Sequence, residues 1–384
     1  NERVVRPRLA DAKFFFDQDR KKTLESRVEG LSKVVYHNKL GTQGERMARV
    51  CAIAKAVGQQ LGGAELAAKA ELAARLAKTD LLTDMVGEFP ELQGIMGGYY
   101  ARHDGLSNEV AEAIEDHYKP RFAGDELPRN QVGLVVALAD KLETLVGMFG
   151  IGNVPTGDKD PFALRRHALG VIRMLMDALP LFSLDHVVTV VLAKPDWPAA
   201  FARVKEINGQ ILQVRDLLLQ FFQDRLSVVL KDQGATAQEV AAVLEGDKFW
   251  DVGAVANRLA AVRAFAALPE SPALAAANKR IGNILKKADE VDAHVNPALL
   301  QEDAEKNLYA VMQKLLPESE AQFKAGDYTA SLQTLAALRA PVDAFFDDVM
   351  VNAEAMDLRL NRQGLLKSLH VAMNRVADLS RLAA

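Results

Sequence analysis

Apolar residues recur along the chain at the three- and four-residue spacing of an α-helix, and period-two alternation is nearly absent. Thr42 and Glu45 have the spacing of a capping box ahead of a periodic run from Arg46 to Leu61, which Gly62-Gly63 is expected to stop. Thr236 and Glu239 repeat the device. Asp160-Pro161 and Ser271-Pro272 each place a capping side chain before a proline at the first helical position. His186 to Leu192 is rich in valine but follows Ser183, so a short helix fits it as well as a strand. The pattern predicts an all-α chain in three blocks. Residues 1–180 carry most of the candidate polar site, and 181–268 form a helical middle block bounded by prolines. Residues 269–384 form a bundle of long helices punctuated by Pro297, Pro317 and Gly326-Asp327.

At 384 residues the chain is long enough for two or three domains. With 49% hydrophobic and 26% charged residues it reads as a soluble globular protein. The one cysteine, Cys51, excludes an internal disulfide framework and points to a reducing, cytoplasmic setting; lying in an apolar run, it reads as a core residue. No apolar run approaches the ~20 residues that span a membrane, and no secretory signal opens the chain. A start at Asn-Glu-Arg leads to the expectation of a fragment or processed product. The net charge of −4 excludes a global positive field, so a nucleic acid would have to be held by local patches. No phosphate-cradling Gly-Lys loop or dinucleotide fingerprint is present. Gly94 to Gly98 reads as a tight turn. Gly150 to Gly157 reads as a loop whose neighbours Asp158 and Asp160 would repel phosphate.

One carboxylate stands out. Asp140 lies inside the long apolar helix expected from Val132 to Phe149, where it is costly unless paired, hydrogen-bonded or bound to metal. Asp80, His103 and His117 are the candidate companions. Their order resembles that of the HD superfamily of metal-dependent phosphohydrolases, in which histidines and aspartates from several helices hold metals that activate water. Where that family has an adjacent His-Asp pair, this chain has Thr79-Asp80, and threonine does not replace a neutral imidazole as a ligand. Near the family's first histidine, His37 is close but Asn38 lines up better. The literal pair His103-Asp104 precedes Gly105 in a loop, not on a rigid helix. The reading is a degenerate HD-like domain with no catalytic residue and no metal; an HD-type metal-dependent phosphohydrolase is the alternative.

Five stretches resemble the beta subunit of bacterial tetrameric glycyl-tRNA synthetase. They are Arg3 to Phe16 (RVVRPRLADAKFFF) with Asp19 to Lys22, Leu81 to Met96 (LLTDMVGEFPELQGIM), Phe149 to Arg166 (FGIGNVPTGDKDPFALRR), Ala276 to Leu285 (AANKRIGNIL) and Val342 to Val351 (VDAFFDDVMV). The resemblance covers essentially the whole chain. It implies a heterotetramer of two alpha and two beta subunits, with ATP, Mg and glycine handled by the class II active site of alpha. It implies a beta subunit that binds tRNA(Gly), with a C-terminal bundle like the anticodon-binding domain of arginyl-tRNA synthetase. This chain would be the C-terminal part, lacking the N-terminal half of beta. No cofactor bound by the chain itself is expected.

The sharpest candidate RNA contact is Asn278 to Lys287. Ile281, Ile284, Leu285 and Ala288 share one helical face; Lys279, Asn283, Lys286 and Lys287 share the other, and Arg280 adds a fourth basic residue with no acid in the segment. Such a face suits phosphates, with Asn283 able to read a base edge; a solvated helix surface is the plain alternative. Arg359 and Arg362 are second candidates, with Arg359 alternatively paired to Asp347 or Asp348. Phe345 and Phe346 fit either base stacking or the core. The segment 1–22 has seven basic residues against four acids and, like Arg165 and Arg166, fits either RNA or ordinary ion pairs.

Overall fold

The computed structural model describes residues 2–180, 182–199, 201, 204–207, 210–245, 250–288 and 290–383. The chain divides into two compact units, 1–226 and 227–384, a boundary that falls inside the block 181–268.

The first unit is built round one helix. α1 (Glu2–Asp19), α2 (Gln43–Leu76), α3 (Asp84–Glu88), α4 (Ile95–His103) and α5 (Asn108–Asp116) lead to α6 (Gln131–Gly150), followed by α7 (Leu164–Asp177), α8 (Leu184–Ala193) and the start of α9 (Val214–Asp232). α6 is apolar nearly all round, and every residue from Val132 to Gly150 is buried. Its neighbours are α2, α5, α7 and α8. At ~1.5–3 kcal/mol per buried Val or Leu, the side chains along α6 dominate the stability of this unit. Asn130 starts the helix by accepting the Gly133 N–H at 2.9 Å.

Local signals set the ends of α2. The Thr42 hydroxyl accepts the Glu45 N–H at 3.2 Å, and the Glu45 carboxylate accepts the Thr42 N–H at 2.7 Å, closing the expected capping box. The helix breaks at Gly62-Gly63, where Gly63 has φ 74, a conformation glycine adopts without strain. Asp160 caps α7 from farther away than its sequence suggests. Its carboxylate accepts the Leu164 and Arg165 N–H groups at 2.8 and 2.9 Å, so Pro161 lies outside the helix.

The all-α expectation holds; among the described residues it is accompanied by two small antiparallel hairpins, β1 (Val35–His37) with β2 (Gly41–Thr42), and β3 (Val204–Ile207) with β4 (Gln210–Gln213). His186 to Leu192 lies in α8, the short helix. Gly94 to Gly98 is not one turn. Gly94, at φ 83, turns the chain, and Gly97 and Gly98 already belong to α4.

The second unit comprises the end of α9, α10 (Ala237–Leu244), α11 (Val252–Ala266), α12 (Ser271–Lys287), α13 (Asp303–Lys324), α14 (Tyr328–Ala336), α15 (Arg339–Asp348) and α16 (Met356–Met373). α13 and α14 form a hairpin through Gly326, at φ 80, with Asp327 capping α14 through the Ala330 N–H at 2.9 Å. Thr236 and Glu239 close the second capping box at the start of α10. Ser271 is the first residue of α12, not its cap, and makes no side-chain cap bond; Pro272 sits in the first turn. Pro317 lies inside α13 and does not end it, leaving one backbone carbonyl without its helical partner. α12 packs on α15, α16 and the turn Leu379–Leu382, burying Leu274, Ala275, Ala277 and Ile281.

No helix among the described residues is long and apolar enough to cross a membrane.

Candidate functional site

The polar cluster of the first unit forms because two helices face each other with matched spacing. Asp140, Glu143 and Thr144 lie on one side of α6, and Arg46 and Arg49 on the facing side of α2. Asp140 lies 3.0 Å from an Arg46 guanidinium nitrogen and 3.5 Å from the Lys78 ammonium. Burial pushes the Asp140 carboxyl up, but Arg46 and Lys78 together hold it far below the usual carboxylate range. Glu143, fully buried, accepts Arg46 Nε at 2.9 Å and Arg49 Nε at 2.8 Å. Arg46 also reaches the Thr144 hydroxyl at 2.9 Å, and Arg49 the Leu40 carbonyl at 3.0 Å. Lys78 rests 3.8 Å above the Tyr118 ring, and burial lowers its ammonium to about 8.

Asp80 performs a different task. One carboxylate oxygen accepts the Gly94 N–H at 2.6 Å and the Gly97 N–H at 3.0 Å, so it caps the N-terminus of α4. The glycine-rich stretch is thus an anion cradle whose anion is supplied by the chain itself. A side chain at Gly97 would crowd this oxygen, since a Cβ there would sit 3.1 Å from it. The other oxygen of Asp80 has no hydrogen-bond partner among the described residues, and burial pushes the carboxyl up.

His117 is fully buried at the end of α5. Its Nδ1 donates to the Ile114 carbonyl at 2.5 Å, and Nε2 is buried without a hydrogen-bond partner among the described residues. Burial, helped by the nearby Lys78 charge, lowers the imidazole to about 3. An unfolded histidine titrates near 6.5. The folded form therefore binds fewer protons below that value, and the stability this neutral ring contributes is lost as pH falls from about 6.5 towards 3. Urea unfolding at pH 7 and pH 5 is expected to show a loss of about 1.4 kcal/mol per pH unit below 6.5 from this residue. A His117→Asn chain should lack that increment.

Of the four residues in the HD-like order, Asp80, His117 and Asp140 gather round the Lys78 ammonium, which takes the place a metal would need, and His103 stays outside. His103 is exposed on the last turn of α4, while its neighbour Asp104 accepts the Leu24 N–H at 2.7 Å. Asp140 is faced by cations that belong to the chain, and the Thr79 hydroxyl donates to the Leu76 carbonyl at 2.6 Å. Among the described residues no group of three or more His, Cys, Asp or Glu is arranged to hold a metal ion. The donor set does not fit a metal, and no hydrolytic step follows from it.

In the second unit α12 presents the opposite situation. Lys279, Arg280, Asn283, Lys286 and Lys287 are all exposed. None of the four cations forms an ion pair among the described residues. Arg280 stacks 4.2 Å from the centre of the Phe346 ring of α15, which fixes its guanidinium plane. A groove of about 760 Å³ runs past Lys279, Arg280, Asn283, Ile284, Lys287 and Asn352. A second concavity of about 600 Å³ lies on the other side of the helix, where α16 adds Lys367 and the chain's end adds Arg381. Neither residue stands out in the sequence, because each reaches the face only through tertiary packing. Glu245 and Asp378 also line this second concavity, and Arg381 pairs with both, at 2.8 and 3.4 Å. The first groove is therefore the more cationic.

One candidate, Arg362, is corrected, and the alternative ion pair of Arg359 is not formed. Arg362 is buried; its Nε donates to Glu305 at 3.0 Å, Nη2 to the same carboxylate at 3.2 Å and Nη1 to the Met350 carbonyl at 2.9 Å. It cannot reach a polynucleotide. Arg359 is half-buried and donates to the Ala353 and Glu354 carbonyls at 3.0 and 3.3 Å, pairing with neither Asp347 nor Asp348. It closes the loop ahead of α16. Phe345 is core and Phe346 lies under Arg280. Lys13 of α1 and Arg20 just beyond it both pair with Asp17, while Arg3 and Arg8 are exposed. Arg165 donates to the Gly157 carbonyl, and Arg166 is exposed.

A family model described as glycyl-tRNA synthetase beta subunit matches residues 1–245, and one described as DALR anticodon binding domain matches 274–379. The chain is 70% identical along its whole length to the glycine–tRNA ligase beta subunit of Paracidovorax citrulli, of which it covers 52%. It is 70% identical to that of Polaromonas naphthalenivorans and 65% to that of Dechloromonas aromatica, again covering 52% of each. The chain thus spans about half the length of the curated relatives it matches.

Proposed function

The chain belongs to the glycyl-tRNA synthetase beta-subunit family, and from that premise we propose that it is the part of a cytoplasmic glycine–tRNA ligase that grips tRNA(Gly) near its anticodon. In this reading the alpha subunit uses ATP, Mg and glycine, and this chain binds none of them. Its partners are tRNA(Gly), the alpha subunit and the N-terminal half of beta. The carrying observation is the exposed face of α12, where Lys279, Arg280, Lys286 and Lys287 stand without carboxylate partners among the described residues beside a groove, inside the stretch matched by an anticodon-binding model.

In a folded protein of net charge −4, a row of unpaired cations is costly by mutual repulsion and is stabilised by a polyanion. Lys and Arg supply phosphate contacts that set position, and Asn283 can both donate to and accept from a base edge. Filter binding of tRNA(Gly) at 50 to 200 mM salt tests this. Affinity should fall steeply, with a logarithmic slope of about −0.7 to −0.9 per phosphate neutralised. Equal affinity for unrelated tRNAs would remove the claim of specificity.

A further inference from the structure

The first unit contains a second cationic recess that the α12 reading does not use. A pocket of about 450 Å³ opens beside Lys141, Arg166, His167, Tyr118 and Ile95, bounded by the end of α5, the start of α7 and the turn Pro90–Leu92. Most charges round it are already matched within the chain. Lys119 pairs with Asp116 and Glu126, Arg121 with Asp125, and Glu115 with Arg129. Two cations and one exposed carboxylate, Glu91, are left over among the described residues. Arg166 is exposed and pairs with no carboxylate among the described residues. Lys141 is only 3% exposed, yet among the described residues its ammonium donates one hydrogen bond, to the Tyr118 carbonyl at 3.1 Å. Its sequence neighbour Asp140 points to Arg46 and Lys78, because successive residues on a helix diverge by about 100°.

We propose that this pocket binds the phosphate group of a nucleotide. A buried ammonium with free N–H groups and no carboxylate is costly, and an anion in the recess removes the cost. Burial lowers the Lys141 ammonium to about 8, although the charges of Asp140 and Asp125 act to raise it. The guanidinium of Arg166 offers a planar fork suited to phosphate oxygens, and Lys141 a point charge. The His167 ring makes no hydrogen bond among the described residues, and burial lowers it to about 4, so it presents one neutral N–H. The recess is larger than a phosphate alone, and Tyr118, Ile95 and Pro120 give it apolar walls for an attached nucleoside. The phosphate has two possible sources, a free mononucleotide or the end of a single-stranded RNA.

Calorimetric titration of the full chain with adenosine monophosphate and with adenosine tests the proposal. The monophosphate should bind saturably and at least tenfold more tightly than adenosine. Lys141→Met and Arg166→Gln should each weaken it at least tenfold, with thermal unfolding confirming that both chains fold. Arg166 is exposed and pairs with no carboxylate among the described residues, so its replacement keeps the test decisive even if Lys141→Met does not fold. Replacing Lys279, Lys286 and Lys287 should leave this binding unchanged, which separates it from the α12 surface. Displacement of the monophosphate by a single-stranded tetranucleotide would identify the strand end as the source, and no displacement the free nucleotide. Absence of binding, equal binding of adenosine, or indifference to both substitutions would overturn the proposal.

Discussion

A Glu143→Ala chain is expected to lose about 3–5 kcal/mol of stability in its first unit, the usual result of breaking a buried ion pair from one side. The carboxylate is fully buried and is shared by Arg46 and Arg49, which are themselves buried. Taking it away strands two guanidinium groups at once, and Asp140 compensates only one of them. The loss would come from the uncompensated charges and not from the net worth of the pair, so replacing all of these residues by apolar ones of similar volume should be far less harmful. By contrast, Lys13→Ala removes an exposed partner of Asp17 and should change stability by less than about 1 kcal/mol. Urea unfolding followed by tryptophan fluorescence reads both. Trp197 is a local reporter, because the Arg49 guanidinium lies 5.4 Å from its ring centre. An unchanged midpoint for Glu143→Ala would mean that the network contributes nothing.

The second large effect concerns binding. Replacing Lys279, Lys286 and Lys287 together with alanine is expected to weaken tRNA(Gly) by roughly a hundredfold near physiological salt, at about 1 kcal/mol per exposed phosphate contact. The salt slope should flatten by about 1 for each lysine that touches a phosphate. The fold should be unaffected, since all three side chains are exposed and none pairs with a carboxylate among the described residues. Arg362→Ala should behave in the reverse manner. It leaves Glu305 buried and unpaired, so it should lower stability by about 3–5 kcal/mol, while the molecules that remain folded keep their affinity for RNA. The two outcomes distinguish an RNA-facing cation from one that holds the bundle together.

Much of the helical framework was legible because its determinants are local. The capping boxes at Thr42 and Thr236, the break at Gly62-Gly63 and the two-faced pattern of α12 each depend on residues within about one turn of each other. The candidate sites were less legible because their meaning depends on distant partners. Nothing near Arg362 announces Glu305, 57 residues away, and nothing near Asp140 announces Arg46, 94 residues away. The same residue types in the same order therefore fit an exposed arginine or a buried one, and a ligand cluster or a set of internal ion pairs. Asp80 shows this most clearly: read as a ligand candidate, it is the anion that completes the glycine-rich start of α4. The four-residue strands β3 and β4 are too short for alternation to stand out.

Cross-linking tests the central claim most directly. A photo-reactive side chain introduced at Asn283 lies between the two concavities beside α12, and one at His103 provides an equally exposed control in the other unit. With bound tRNA(Gly), the first should give adducts mapping to the anticodon loop and the second none there. Adducts from position 103 at the anticodon loop, with position 283 silent, would contradict the assignment of the RNA-gripping face to α12.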